Sequence, residues 1–398
     1  MRRQVGRPTS PLQGRLARLL RDEGPRSRAE LGEAVGLSRG KLAVELDALV
    51  ESGLVEDGGP AASRGGRRSS IARTCSALRY AAIDIGATSV DVAVTDGRLE
   101  PLAHVARDID VREGPHVVLD AALDLLAKLR AEGIAAQLHG VGVGVPGPVS
   151  FREGVPVAPP IMPGWDRFPV REHLAGELGC PVLVDNDVNL MALGERHGGV
   201  ARGVDAFLFV KVGTGIGCGI MVDGRVHRGV DGSAGDIGHI GVERSGPPCS
   251  CGRDGCLETL FSGAALARDA IAAARTGRSP ELAERFAGRG TLTAVDVGAA
   301  AAAGDPVALG MVRDGGRRLG EVLAALVSFF NPGLVVIGGG VAGLGHTLLA
   351  EVRGVLYRRS LPLATSNLPI VLSELQGTAG VVGGARLISD HLLTPTDG

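Results

Sequence analysis

The chain has 398 residues, is 44% hydrophobic and 22% charged, and carries a formal net charge of −2. Such a length supports two to four compact units whose cores need no covalent stapling. The longest apolar run, residues 322–330, stops at Asn331-Pro332 and is too short to cross a bilayer, and the basic N-terminus lacks the apolar stretch of a secretion signal. A cytoplasmic, reducing compartment is therefore expected, where clustered cysteines hold metal more often than each other.

Charge is unevenly spread. Residues 1–79 hold 15 Lys+Arg against 9 Asp+Glu, and residues 80–398 hold 27 against 35. A basic head on an acidic body implies that only the head meets a polyanion.

In the head, Leu16, Leu19 and Leu20 mark a first helix. Ser27 and Glu30 form a capping-box pattern that starts a second helix at Arg28, and Gly36 makes the following turn. Ser38 is suited to cap a third helix whose apolar stripe is Leu42, Leu46, Leu49 and Val50, ending at Gly53. Leu54 and Val55 open a strand, and "SRGGRRSS" (63–70) suits the tip of a wing. The pattern predicts a winged helix-turn-helix over 10–70 followed by a linker over 71–79. Ser38, Arg39, Lys41 and Glu45 would face a major groove, and Arg64, Arg67 and Arg68 would follow phosphates or enter a minor groove of double-stranded operator DNA. The plainer alternative is a helical docking domain with solvated basic residues.

The body contains an internal repeat. "AAIDIGATSVDVAVTDGR" (81–98) and "LFVKVGTGIGCGIMVDGR" (208–225) both read apolar strand, glycine turn, apolar strand, Asp-Gly-Arg. Two similar α/β lobes with a cleft between them follow, each able to point backbone N–H groups at phosphate. A third glycine turn, "VVIGGGVAG" (335–343), follows another buried strand. Lobe one is expected over about 80–200 plus a C-terminal helix over about 378–392, and lobe two over about 201–377.

In the first third of lobe two, His239, Cys249, Cys251 and Cys256 fall within eighteen consecutive positions. One imidazole and three thiolates complete the tetrahedral sphere of a structural zinc ion and leave no open position for hydrolytic chemistry. A redox pair or chance proximity is the alternative.

With "DIGAT", "GVGVPGPV", "MPGWD", "VDNDVN", "GTGIG", "AGDIGH", the cysteine cluster, "NPGLVVIGGG" and "GTAGVVGGA" in this order, the chain resembles the ROK proteins (repressors, open reading frames and kinases) of the actin-like sugar kinase superfamily. The resemblance implies an α/β, two-lobed body behind the winged head. It implies a sugar pocket of Asn186, Asp187, Asp236, His239 and Glu258, with Asp187 at the position of a kinase's catalytic base and His239 joining metal staple to pocket. Asp187 also suits a cap for a helix beginning near Val188. Asp84, Gly86, Thr88, Gly213, Thr214, Gly215, Gly338 and Gly339 stand at the nucleotide-loop positions.

Three departures disfavour ATP. Ala87-Thr88-Ser89 replaces the Gly-Thr-Lys that follows the first loop glycine in family kinases, Ile161 replaces the Asn before the "PGW" motif, and Asp236 replaces a longer Glu. The expectation is a non-enzymatic regulator, a homodimeric or homotetrameric repressor of carbohydrate genes that answers to a sugar or sugar-phosphate effector, with no membrane association. An active sugar kinase carrying a DNA-binding domain is the alternative, and a scaffold for another protein a third reading.

Overall fold

The computed structural model describes residues 5–60 and 70–395. In the head, Ser10 caps α1 (Pro11–Glu23) by accepting from the Gln13 amide. The Ser27–Glu30 capping box opens α2 (Arg28–Val35), and Gly36, at φ 70°, closes it. α3 (Arg39–Glu51) follows, although Ser38 supplies only an extended backbone and no side-chain capping bond. Leu16, Leu20, Leu31, Leu42, Leu46 and Leu49 close one core between the three helices. Val50 does not share it. One residue past Leu49 the helix has turned it outward, and it is 45% exposed.

A three-stranded antiparallel sheet completes the head: β1 (Arg26–Ser27), β2 (Val55–Pro60) and β3 (Ser70–Thr74), in the order β1-β3-β2. β3 corrects the linker expected over 71–79. Ala72 and Thr74 alternate inward from it, so those residues belong to the head, and Leu78 packs into the same core just before the first strand of the body begins. The wing residues Arg64, Arg67 and Arg68 lie outside the described residues.

The body's first sheet comprises β4 (Arg79–Ile85), β5 (Ser89–Asp96), β6 (Pro101–Asp108), β7 (Gly140–Val145) and β10 (Val182–Asn186), with a small hairpin of β8 (Val149–Ser150) and β9 (Val155–Pro156) to one side. α4 (Pro115–Ala131), α5 (Val170–Leu178) and α6 (Asp187–Gly198) lie in this half of the chain. The second sheet comprises β11 (Phe207–Val212), β12 (Ile216–Val222), β13 (Arg225–Val226), β14 (Val335–Gly338) and β15 (Ile370–Leu372). The orders are β6-β5-β4-β7-β10 and β13-β12-β11-β14-β15. In each, the first three strands in chain order form an antiparallel meander and the last two add in parallel beside the first. The internal repeat is thus a repeat of topology, and each glycine turn joins the first two strands of its sheet.

Two helices form the seam between the lobes. α6 packs Val188 and Ala192 against Phe207, Phe209 and Met221 of the second sheet. The C-terminal helix Ala379–Leu392 returns to the first sheet, where a Cβ on Gly142 would come within 2.0 Å of the Gly384 carbonyl oxygen. The same helix meets α6 backbone to backbone, because a Cβ on Gly194 would lie 2.1 Å from the Ala379 oxygen. Buried Glu195 accepts from the Val200 and Leu375 amides and the Ser373 hydroxyl, which ties both chain crossings at the seam to α6.

Candidate ligand cleft and metal centre

Between the sheets lies a cleft of ≈ 660 Å³. The first two glycine turns face it through Gly86 and Thr88 and through Gly213, Thr214 and Gly215, as the repeat implied. Ile161 lines it too. Of the other loop positions, Asp84, Gly338 and Gly339 stand behind the cleft wall. Asp84 is buried beneath it, against Gly144 and Gly380. Gly338 ends β14 over the Phe209 ring, and Gly339, at φ 84°, presses on the Val212 carbonyl. The third turn reaches the cleft one residue later, through Gly340 and Val341.

Asn186, Asp187, Asp236, His239 and Glu258 all border this space. Asn186, not Asp187, is the cap of α6. Its amide oxygen accepts from Val188 N at 2.9 Å while its Nδ2 donates to the Gly147 carbonyl at 2.8 Å. Asp187 takes the first helical position, where its Oδ1 also accepts from Val188 N. Glu258 accepts from Ile216 N at 2.9 Å, just after the second glycine turn. Asp236 is the more open carboxylate, 46% exposed at its side chain.

Sequence reasoning missed two cations here. Lys211, on β11, pairs through Nζ with Asp187 Oδ2. Burial works against its ammonium, but Asp187 and Asp84 outweigh that and hold its pKa above the ordinary lysine range. Arg228 donates to buried Asp185 through Nε at 2.9 Å and stacks over Phe151 at 4.0 Å. Asp185 in turn accepts from the Asn186 amide and from Asn189 Nδ2, so this cation steadies the start of α6. The signal for Lys211 was a lone charge in an otherwise apolar strand.

His239, Cys249, Cys251 and Cys256 converge, with their ligand atoms all within 4.8 Å of one another. Cys251 and Cys256 sulfurs are 3.7 Å apart, close to the ~3.8 Å between thiolates on a tetrahedral ion with bonds of about 2.3 Å. The donor set fits a metal ion such as zinc. A hydrogen bond from Arg253 brings the Cys251 thiol down to about 6, whereas burial pushes Cys256 up to about 12, so metal uptake would release a proton. His239 turns Nδ1 toward Cys249 at 3.3 Å and leaves Nε2 4.0 Å from Asp236 Oδ1. One ring therefore borders both the metal centre and the cleft.

In the head, Ser38, Arg39 and Lys41 are exposed at the start of α3. Glu45, expected beside them, instead accepts from Gln13 Nε2 at 2.9 Å and ties α3 to α1.

Residues 80–391 match the ROK family. The chain belongs to that family. It is 35% identical to a glucokinase of Halalkalibacterium halodurans over 316 residues, 78% of this chain and 95% of that protein. It is 30% identical to a putative xylose repressor of Caldicellulosiruptor sp. over 376 residues, 93% of each. A solved ROK family transcriptional regulator, described as a homologue of the E. coli MLC protein, superimposes with a TM-score of 0.80 at 28% identity, covering 96% of this chain and 95% of that one. The relatives thus include a kinase matched over 78% of this chain and regulators matched over 93% or more of it. Among the described residues no single helix is long and apolar enough to cross a membrane.

Proposed function

We propose that this ROK protein is a DNA-binding transcriptional repressor of carbohydrate-metabolism genes whose cleft binds a sugar or sugar derivative as effector. The observation that carries this reading is the reach of the repressor alignment. Its 376 residues exceed the 319 of the body, so it must extend well into the head, whereas the 316 residues of the glucokinase alignment need no more than the body. The head would seat the start of α3, with Arg39 and Lys41, in a major groove, and a homodimer or homotetramer would present two heads to two half-sites.

Carboxylates and amides along the cleft suit a polyol, whose hydroxyls both donate and accept. In this reading Asp187 and Asn186 bind the effector from one side, and Asp236, His239 and Glu258 from the other. The metal, proposed to be zinc, is structural: with four protein ligands it supplies no open coordination position, and the His239 ring it holds offers Nε2 to the ligand. Effector binding that changes the lobe angle would move α6 and the C-terminal helix, and with them the spacing of the heads.

The kinase reading keeps one specific support, the 35% identity to a glucokinase together with paired glycine turns that face the cleft. Against it stand Ala87 in the first turn and the Lys211 ion pair on Asp187, the residue that would have to accept a hydroxyl proton. The test is fluorescence anisotropy of the full chain with promoter fragments from sugar-utilisation operons, alongside an ATP-dependent phosphorylation assay on the same sugar panel. Specific DNA binding released by one sugar, without turnover, supports the repressor; turnover without specific DNA binding supports the kinase.

A further inference from the structure

At the foot of the cleft, three charged groups from three elements converge: Asp84 on β4, Asp187 at the start of α6 and Lys211 on β11. The ammonium pairs with Asp187 Oδ2 and interacts electrostatically with Asp84. Asp84 is 92% buried, since only 8% of its surface is exposed, and its Oδ1 has no hydrogen-bond partner. Its carboxyl is pushed up to about 7, chiefly by burial; Lys211 acts against that rise and Asp187 adds to it. Asp84 and Asp187 are neighbours, since a Cβ on Gly144 would lie 2.8 Å from Asp84 Oδ1 and 3.4 Å from Asp187 Cα. Without Lys211, two carboxylates would be left at the foot of the cleft, an oxygen-rich setting of the kind that binds hard divalent ions. Lys211 also stands two residues before the second glycine turn, where a phosphate-bound metal would enter.

We propose that Lys211 is a specificity-determining residue that serves as the cleft's resident cation. Its ammonium takes the place a divalent ion would need between Asp84 and Asp187, so the site selects metal-free ligands over metal–nucleoside triphosphate complexes. This goes beyond the repressor reading and does not depend on it, because the charge arrangement is the same whether or not the head binds DNA.

The test is a Mn²⁺ titration, followed by electron paramagnetic resonance, of the full chain as purified at pH 8, where proton uptake by Asp84 competes least. Mn²⁺ is a weak competitor for a Cys3His centre, so that centre does not contribute to the signal. Lys211→Met, which keeps the apolar stem, and Lys211→Ala serve as parallel variants, each checked by thermal melting. The expected result is a Mn²⁺ site at least about tenfold tighter in either folded variant than in wild type, since a like charge has been removed from beside the ion. Adding Asp187→Asn to the variant should abolish it. Equal Mn²⁺ affinity in wild type and variants, no gain in either variant, or a gain that survives Asp187→Asn overturns the proposal.

Discussion

Arg21 on α1 of the head and Asp390 on the C-terminal helix pair at 2.8 Å, with the arginine side chain wholly out of solvent. Arg21 also donates to Ser389 Oγ at 2.9 Å and pairs with Asp22. Asp22 accepts from Arg386 at 2.9 Å, and Arg386 reaches His197 Nδ1 at 3.1 Å. His197 lies in the last turn of α6, the helix whose first residue is Asp187. A continuous set of polar contacts therefore joins the head to the helix that borders the cleft.

Replacing Arg21 with Met should loosen that junction. The change removes the charge facing Asp390 and Asp22, and breaking such a pair costs about 3 kcal/mol, the lower end of the usual range because Asp390 keeps some contact with water. Urea denaturation read by circular dichroism measures it. Operator affinity in the variant should also respond less to effector than in wild type.

His197 gives the junction a pH dependence of known sign. Burial, helped by Arg386 and Arg21, lowers its pKa to about 4, against about 6.5 in an unfolded chain. Between those values the unfolded chain binds a proton that the folded chain refuses, so this residue's contribution to stability falls as the pH drops from about 6.5 to about 4. His197→Gln, which can still accept from Arg386, should remove the dependence. Wild type is expected to lose up to ~3 kcal/mol relative to the variant over that window, measured as the difference between paired denaturation curves. A constant difference at all pH values would show that His197 is not held neutral.

The Cys3His centre predicts one metal ion per chain. Elemental analysis of the purified protein should find it, with zinc as the expected element, and Cys256→Ser should lose it and lower the melting temperature. Because His239 sits between metal and cleft, chelation should weaken effector binding as well. A metal-free preparation that is fully folded and responds normally to ligand would contradict this.

DNA binding should be steeply salt-dependent, because phosphate neutralisation releases counterions. The double variant Arg67→Ala, Arg68→Ala is expected to weaken all duplexes alike and reduce the slope of log affinity against log salt by about 2. Arg39→Ala or Lys41→Ala should instead change which sequence is preferred. A chain lacking residues 1–70 that bound the same DNA equally well would remove the head from the interface.

Much of the architecture was legible because its determinants are local. The Ser27–Glu30 box, the Gly36 turn and the repeated strand, glycine turn and Asp-Gly-Arg each act within a few residues, and the two sheets duplicate that pattern strand for strand. Features that depend on distant partners were not legible. β3 looked like linker because it lies in a stretch rich in Gly, Ser, Ala and Arg without sustained periodicity, and its pairing with β1 and β2 depends on residues distant in the sequence. Arg21 read as one more basic residue, since its acceptor Ser389 lies 368 positions away. Lys211 interrupted a continuous apolar strand, and only the meeting of β4, α6 and β11 shows why a charge belongs there.

The most direct test pairs two titrations on wild type and Asp187→Asn: release of operator DNA by the effector, and ATP-dependent phosphorylation of the same compound. Asn186 still caps α6 in the variant, so the helix should persist. For a cleft that senses ligand without turning it over, wild type releases DNA and forms no phosphorylated product, while Asp187→Asn binds DNA with wild-type affinity and no longer releases it. Robust phosphorylation by wild type that is lost in the variant, or effector-driven release that is identical in both proteins, would contradict it.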